Sequence, residues 1–139
     1  MIRKVVVIGS INSAGITLLK DHSGIECEVV TDVSEENLCQ AVQDAHALLV
    51  RTATITPRVI ASAPKLEIVS RHGVGYDNVD IESLTARRIP LALAVGSNAV
   101  SVAEQAMHLI LTITKQGFLY HQAVQEGRFD FRQRPSSSN

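Results

Sequence analysis

Five short runs of β-branched and aliphatic residues recur along the chain, each separated from the next by a stretch with helical patterning. They are Val5 to Ile8, Cys27 to Val30, Ala47 to Val50, Leu66 to Val69 and Leu91 to Leu93. Strands joined through helices lie parallel, because a tight turn between them would force them antiparallel. Val5-Val6-Val7-Ile8 and Ala47-Leu48-Leu49-Val50 show no polar alternation, as expected of strands covered on both faces. Helix starts fall where this scheme needs them. Asp32 and Glu35 have capping-box spacing, Thr56-Pro57 sets proline at a first helical position, and Asp80 precedes the stretch from Ile81 to Arg87. The fold class is therefore α/β, a doubly wound five-stranded parallel sheet.

A long apolar helix is expected to follow, from Asn98 to Gln116. Val100, Val102, Ala103, Ala106, Met107, Leu109, Ile110, Leu111 and Ile113 leave it only a narrow polar stripe. One stripe would suffice against its own sheet, so this helix should meet a second body as well. Self-association into a homodimer, with Ala103, Ala106, Met107 and Ile110 at its centre, is one way to cover it. Gly117 interrupts the pattern, and residues 118–126 read as a further helix ending before Gly127. The expected division is a domain over 1–127 and a disordered polar tail over 128–139 that ends Pro-Ser-Ser-Ser-Asn, a linker or a truncation scar.

Composition excludes several functions. A chain of 139 residues with 45% hydrophobic and 19% charged residues suits one core, and a formal charge of -1 with interspersed signs offers no stripe for nucleic acid and no polybasic patch for lipid. No apolar run reaches membrane-spanning length, and the N-terminal run is too short for a signal peptide, so a cytoplasmic location is expected. Cys27 and Cys39, without a C-x-x-C or clustered histidines, read as buried reduced thiols rather than a disulfide or metal site.

Two glycine loops could carry chemistry. The loop after the first strand, Gly9-Ser10-Ile11-Asn12-Ser13-Ala14-Gly15, is where a dinucleotide fingerprint would stand. That fingerprint needs a second glycine where Ile11 sits, since a side chain there blocks the pyrophosphate from the helix N-terminus. Asp32 is spaced like a ribose-binding carboxylate but more simply caps a helix. The second loop, Arg71-His72-Gly73-Val74-Gly75-Tyr76-Asp77-Asn78-Val79-Asp80, carries G-x-G-x-x-N after the fourth strand. It is either a tight turn using glycine's freedom or a set of free N–H groups that receives an anion at the C-terminal sheet edge.

This second loop, Arg87-Arg88-Ile89-Pro90, and Gly96-Ser97-Asn98-Ala99-Val100-Ser101-Val102-Ala103-Glu104 follow in the order and spacing of the D-isomer-specific 2-hydroxyacid dehydrogenases. Leu48 to Thr52 and Ala63 to Leu66 extend the likeness over most of the chain, and phosphoglycerate and formate dehydrogenases look like its nearest branches. The resemblance implies a flavodoxin-like substrate-binding domain facing a dinucleotide-binding domain across a cleft. It implies that Val74 and Gly75 offer backbone N–H groups to the substrate carboxylate and that Arg51 grips a distal anion. It also implies that Asn98 contacts substrate and that Val102 lies near the nicotinamide. Each has a plainer reading: Arg51 as a surface arginine, Asn98 as a helix N-cap, Val102 as core.

The family's catalytic arginine, glutamate and histidine and its glycine fingerprint come later in sequence and have no counterpart here. His72 and His108 fall elsewhere and read as structural. The implied parent activity is NAD- or NADP-linked interconversion of a D-2-hydroxy acid and its 2-oxo acid. With no catalytic residue and no cofactor site of its own, the chain is expected to stop before the cofactor domain and to be inactive by itself. The alternative from another class is a non-catalytic flavodoxin-like binding or regulatory module. A response-regulator receiver is disfavoured, because the third strand ends in Arg51 where a receiver has aspartate.

Overall fold

The computed structural model describes residues 2–129, which form two compact units dividing between Ser97 and Asn98. The first unit contains β1 (Arg3–Ile8), α1 (Ser13–Lys20), β2 (Ile25–Val30), α2 (Glu35–Ala41), β3 (Ala47–Val50), α3 (Pro57–Ala61), β4 (Ile68–Arg71), α4 (Ile81–Ala86) and β5 (Leu91–Leu93). All strand pairs are parallel, in the order β2-β1-β3-β4-β5. That is the flavodoxin-like doubly wound order, in which winding reverses between β1 and β3.

The apolar run of β1 lies where burial on both faces demands it, whereas in β3 Leu48 and Val50 are buried but Ala47 and Leu49 only half-buried, so that strand is not covered on both faces as its run suggests. Val6, Val7 and Ile8 are sealed from solvent at the sheet centre. Each such side chain contributes about 1.5–3 kcal/mol relative to exposure. Val6, Ile8, Leu48, Val50 and Val69 turn to one face and pack with Leu38 of α2, Val42 just past its end, Val59 and Ile60 of α3, and Leu84 of α4. Coverage of the other face is unequal, contrary to an evenly wrapped sheet. There α1 packs beside β2 with no residue fully buried, and a shallow groove lined by Ile11, Leu18, Leu19, Leu49 and His72 remains.

Several local expectations hold and others shift. Pro57 opens α3 with Thr56 Oγ1 accepting from the Val59 N–H at 3.3 Å, and Asp80 caps α4 by accepting from the Ser83 N–H at 2.8 Å. The Asp32–Glu35 capping box does not form. Ser34 is the N-cap of α2, while Asp32 accepts from the Ser34 N–H at 3.0 Å in a turn one step earlier. Glu35 instead accepts from Thr56 Oγ1 at 2.5 Å and pairs with Arg58 at 3.3 Å, which ties α2 to α3. The fourth strand begins at Ile68, not Leu66, because the Leu66 N–H is used in a turn to the Ala63 carbonyl; Leu66 is nevertheless buried. Cys27 and Cys39 are free thiols, half-buried rather than buried.

Arg87 secures the end of α3: its guanidinium donates to the carbonyls of Ile60, Ala63 and Pro64. Cations are favoured at these unpaired carbonyls by charge and by hydrogen bonding.

The second unit is a helical hairpin of α5 (Ala99–Thr114) and α6 (Gly117–Gln125). It is shorter at both ends than the helix expected over 98–116. Gln116 adopts a left-handed φ of 51° and breaks the run, so Gly117 begins α6. No residue of α5 is buried. Ala123 is buried in α6, and Gly127 follows at a φ of 68°. The tail expected over 128–139 lies outside the described residues from 130 onward. Among the described residues, no helix is long and apolar enough to cross a membrane.

Candidate substrate-binding edge

Register places the loops that follow the strands side by side. Ile8 pairs with Val50, Val50 with Arg71, and Arg71 with Leu93, so Gly9, Arg51, His72 and Ala94 emerge in line at the C-terminal edge. Open α/β sheets receive ligands at this edge, next to the reversal of winding.

The loop after β4 is pinned at both ends and open in its middle. The His72 N–H donates to the Val50 carbonyl at 2.7 Å, the Gly73 N–H folds back to the Arg71 carbonyl at 2.8 Å, and the Ala94 N–H donates to the Gly73 carbonyl at 3.0 Å. At the far end Asn78 Nδ2 donates to the Ala53 carbonyl at 2.7 Å, and the Ile55 N–H donates to the Asn78 carbonyl at 2.8 Å. Asp80 then caps α4, and the Ser83 hydrogen bonds hold its carboxyl below the usual carboxylate range. Between these anchors the N–H groups of Val74 and Gly75 find no acceptor among the described residues. A pair of adjacent unused donors on a fixed backbone suits a carboxylate.

Arg51 stands one residue beyond Val50, exposed and with no hydrogen bond or ion pair among the described residues. Arg51, Val74 and Gly75 therefore share one edge of one unit. Asn98 and Val102 belong to the second unit. Asn98 occupies the N-cap position of α5, but its side chain makes no capping bond, while its carbonyl accepts from the Val102 N–H at 2.9 Å. The amide of Asn98 is thus not consumed by capping. Val102 is 57% exposed rather than core.

Arg71, which sequence reasoning quoted in the loop without giving it a role, is the residue it missed. Its guanidinium donates to the His72 carbonyl at 3.2 Å, lies directly over Gly73, and keeps Nε buried without a partner. Its position at a strand end beside a glycine loop was visible in the sequence, but its return over Gly73 was not.

The loop after β1 has a different character. Gly9 has a φ of 81°, but the Ile11 side chain lies against Gly15, 3.4 Å from where a Cβ would stand. Asn12 Oδ1 accepts from the Ala14 N–H at 2.9 Å and so caps α1. The first βα turn is filled and capped, and it does not fit a pyrophosphate. His72 borders the Leu49 groove, and His108 lies in a pocket of the second unit with Gly117, Phe118 and His121. Neither histidine adjoins the free N–H pair through a hydrogen bond.

Known proteins share the sequence and the fold of this chain. The chain is 36% identical over 128 residues to D-3-phosphoglycerate dehydrogenase of Archaeoglobus fulgidus, covering 91% of this chain and 24% of that protein. It is 45% identical over 93 residues to the Mycobacterium bovis enzyme of the same name, covering 66% of this chain and 18% of that one. Among solved structures, NAD+-bound 3-phosphoglycerate dehydrogenase of Entamoeba histolytica superposes with a TM-score of 0.74 at 27% identity, over 85% of this chain and 41% of that one. The chain thus spans about a quarter or less of the curated relatives it matches. Residues 5–132 match the family of the D-isomer specific 2-hydroxyacid dehydrogenase catalytic domain, and the chain belongs to that family.

Proposed function

We propose that this chain is the substrate-binding domain of an NAD- or NADP-dependent D-2-hydroxyacid dehydrogenase, acting on a small 2-hydroxy or 2-oxo acid. The observation that carries the reading is the pair of unused N–H groups at Val74 and Gly75 on the same sheet edge as the unpaired Arg51. The two N–H groups would fix the substrate carboxylate in one orientation, with no side chain to immobilise. Arg51 would take a phosphate or second carboxylate at the far end of the substrate, consistent with the phosphoglycerate relatives. Asn98, its amide unspent on capping, would contact substrate from the start of α5, and Val102 one turn later would border the nicotinamide.

The cofactor supplies hydride transfer at the substrate's second carbon, and it would be held by a dinucleotide-binding domain of the longer protein. The filled turn at Ile11 and Asn12 gives it no seat, so no hydride step is assigned to these residues. Their share of the chemistry is orientation of the carboxylate and recognition of the distal group. The protein is read as cytoplasmic and homodimeric, the exposed apolar side chains of α5 being the surface that would be covered.

The test is reduction of 2-oxo acids with NADH or NADPH by the protein carrying this domain together with its dinucleotide-binding domain. Arg51→Ala should raise KM for a phosphate-bearing 2-oxo acid by roughly tenfold to a hundredfold while changing kcat less, as loss of a charge-assisted contact predicts. KM for a substrate without a distal anion should stay the same. Failure to turn over any 2-oxo acid would overturn the reading.

A further inference from the structure

The glycine loop is shaped by a side chain as well as by its glycines. Gly73 has a φ of 149°, in the region that favours glycine, and a Cβ there would stand 1.5 Å from Arg71 Nη1 and 2.7 Å from Arg71 Cζ. The guanidinium therefore occupies the space a side chain at residue 73 would need. One of its terminal nitrogens donates to the His72 carbonyl at 3.2 Å, while the Gly73 N–H returns to the Arg71 carbonyl at 2.8 Å. Main chain and side chain of Arg71 thus clasp residues 72 and 73 from two sides. Immediately beyond the clasp stand Val74 and Gly75, whose N–H groups are unused.

Nε of Arg71 is buried without an acceptor, an arrangement that ordinarily destabilises a fold. A surface arginine would swing outward to hydrate that group. This one stays folded over the loop.

We infer that Arg71 is a positioning residue for the carboxylate-binding loop: its guanidinium holds residues 72 and 73 so that the Val74 and Gly75 N–H groups remain free to receive an anion. The inference rests on the carboxylate reading of those two groups and adds the element that keeps them in place. It separates the two arginines at this edge. Arg51 serves only substrates with a distal anion, whereas Arg71 serves every substrate with a carboxylate, because it acts through the loop.

The test uses the 139-residue chain labelled with 15N and titrated with pyruvate, which has a carboxylate and no second anion. In the wild type, the Val74 and Gly75 amide signals should move and saturate. Arg71→Met should weaken that response about tenfold, the loss of one charge-assisted hydrogen-bond arrangement. Lys65→Met, at an exposed lysine before β4 that belongs to no part of this edge, should leave it within about twofold, since exposed cations away from a ligand contribute little. Arg71→Lys, which keeps the charge and removes the planar fork, guards against misfolding and should resemble Arg71→Met. Methylguanidinium added to Arg71→Ala should restore part of the pyruvate response, which a loss of fold would not permit. Pyruvate binding unchanged in Arg71→Met, or fully retained in Arg71→Lys, would overturn the inference and leave the carboxylate reading standing. A wild type with no movement at Val74 and Gly75 would overturn the carboxylate reading, and the inference with it.

Discussion

The two glycine loops at the C-terminal edge of this sheet make a controlled comparison. Both leave a parallel strand and both use positive φ, at Gly9 and at Gly73. After β1 the loop spends its polar groups locally: Asn12 caps α1 and Ile11 fills the turn. After β4 the loop fixes its ends and leaves Val74 and Gly75 unspent. What separates the two turns is therefore which side chains occupy them, not how many glycines they contain: Ile11 lies against Gly15 and Asn12 caps α1 in the first, whereas the second keeps Val74 and Gly75 between anchored ends.

The sharpest way to break this comparison is to place the same methyl group in both loops. In Gly73→Ala the new Cβ would collide with the Arg71 guanidinium at a φ of 149°. Loss of about 1–3 kcal/mol in denaturant unfolding is expected, together with loss of the pyruvate response at Val74 and Gly75. Gly9→Ala has a φ of 81° with nothing within 4 Å of the added Cβ. It should lose only about 1–2 kcal/mol of backbone preference and keep the response. If the two variants lose the same ligand binding, the loops are not functionally distinct.

Asn12→Ala gives the next effect in size. Removing an N-cap side chain typically lowers stability by about 1 kcal/mol. The change should appear as a lower unfolding midpoint with unchanged carboxylate binding. A gain of NAD or NADP affinity on removing this cap would show that the first turn is a suppressed dinucleotide site, and would erase the contrast with the second loop.

Much of this architecture was legible in the residues, and the failures have identifiable physics. The continuous run at β1 reported its own burial while that at β3 misled, its Ala47 and Leu49 being only half-buried, and Thr56-Pro57 and Asp80 marked helix starts because each supplies what an N-terminus lacks. Leu66 misled because burial is not strand geometry: its side chain joins the core while its N–H serves a turn. Asp32 misled because a carboxylate can satisfy a turn N–H as readily as a helix N-terminus, and two residues separate the alternatives. At the site, glycine spacing and family likeness pointed to Val74 and Gly75. The place of Arg71 was not legible, since nothing in a one-dimensional pattern says that a strand-terminal arginine folds back over a glycine instead of reaching into solvent.

Acid should loosen the second loop before it disturbs the first. The carboxyl of Asp80 sits below its ordinary value because the Ser83 side chain and backbone N–H bind its charged form. A carboxyl depressed in the folded state contributes stability above its unfolded pKa of about 4, and that contribution is lost as pH falls through the lower folded value. The cap of α1 is the neutral amide of Asn12, which does not titrate. Hydrogen-exchange protection at Ser83, corrected for the intrinsic pH dependence of amide exchange, should therefore fall as the pH drops below about 4, while protection at Ala14 follows only global unfolding. The same fall in an Asp80→Asn variant would sever the link to this carboxyl.

The smallest effect is expected at Gly75, and it tests whether the cradle depends on glycine at each of its positions or only at one. Gly75 is outside the positive-φ set, and a Cβ added there would meet only Asp77 Oδ1, at 3.2 Å. Asp77 is exposed, so its carboxylate can rotate by the few tenths of an ångström required. Replacing glycine by alanine at a compatible backbone position usually gains about 0.4–1 kcal/mol by restricting the unfolded chain, and the small displacement of Asp77 works against that gain. Gly75→Ala should accordingly change the unfolding free energy by less than about 0.5 kcal/mol in either direction. Its own amide donor is untouched, so the pyruvate response at residues 74 and 75 should persist with little loss. A destabilisation comparable to that of Gly73→Ala would mean that close backbone approach constrains the whole loop, and the special role given to the Gly73–Arg71 contact would have to be shared along it.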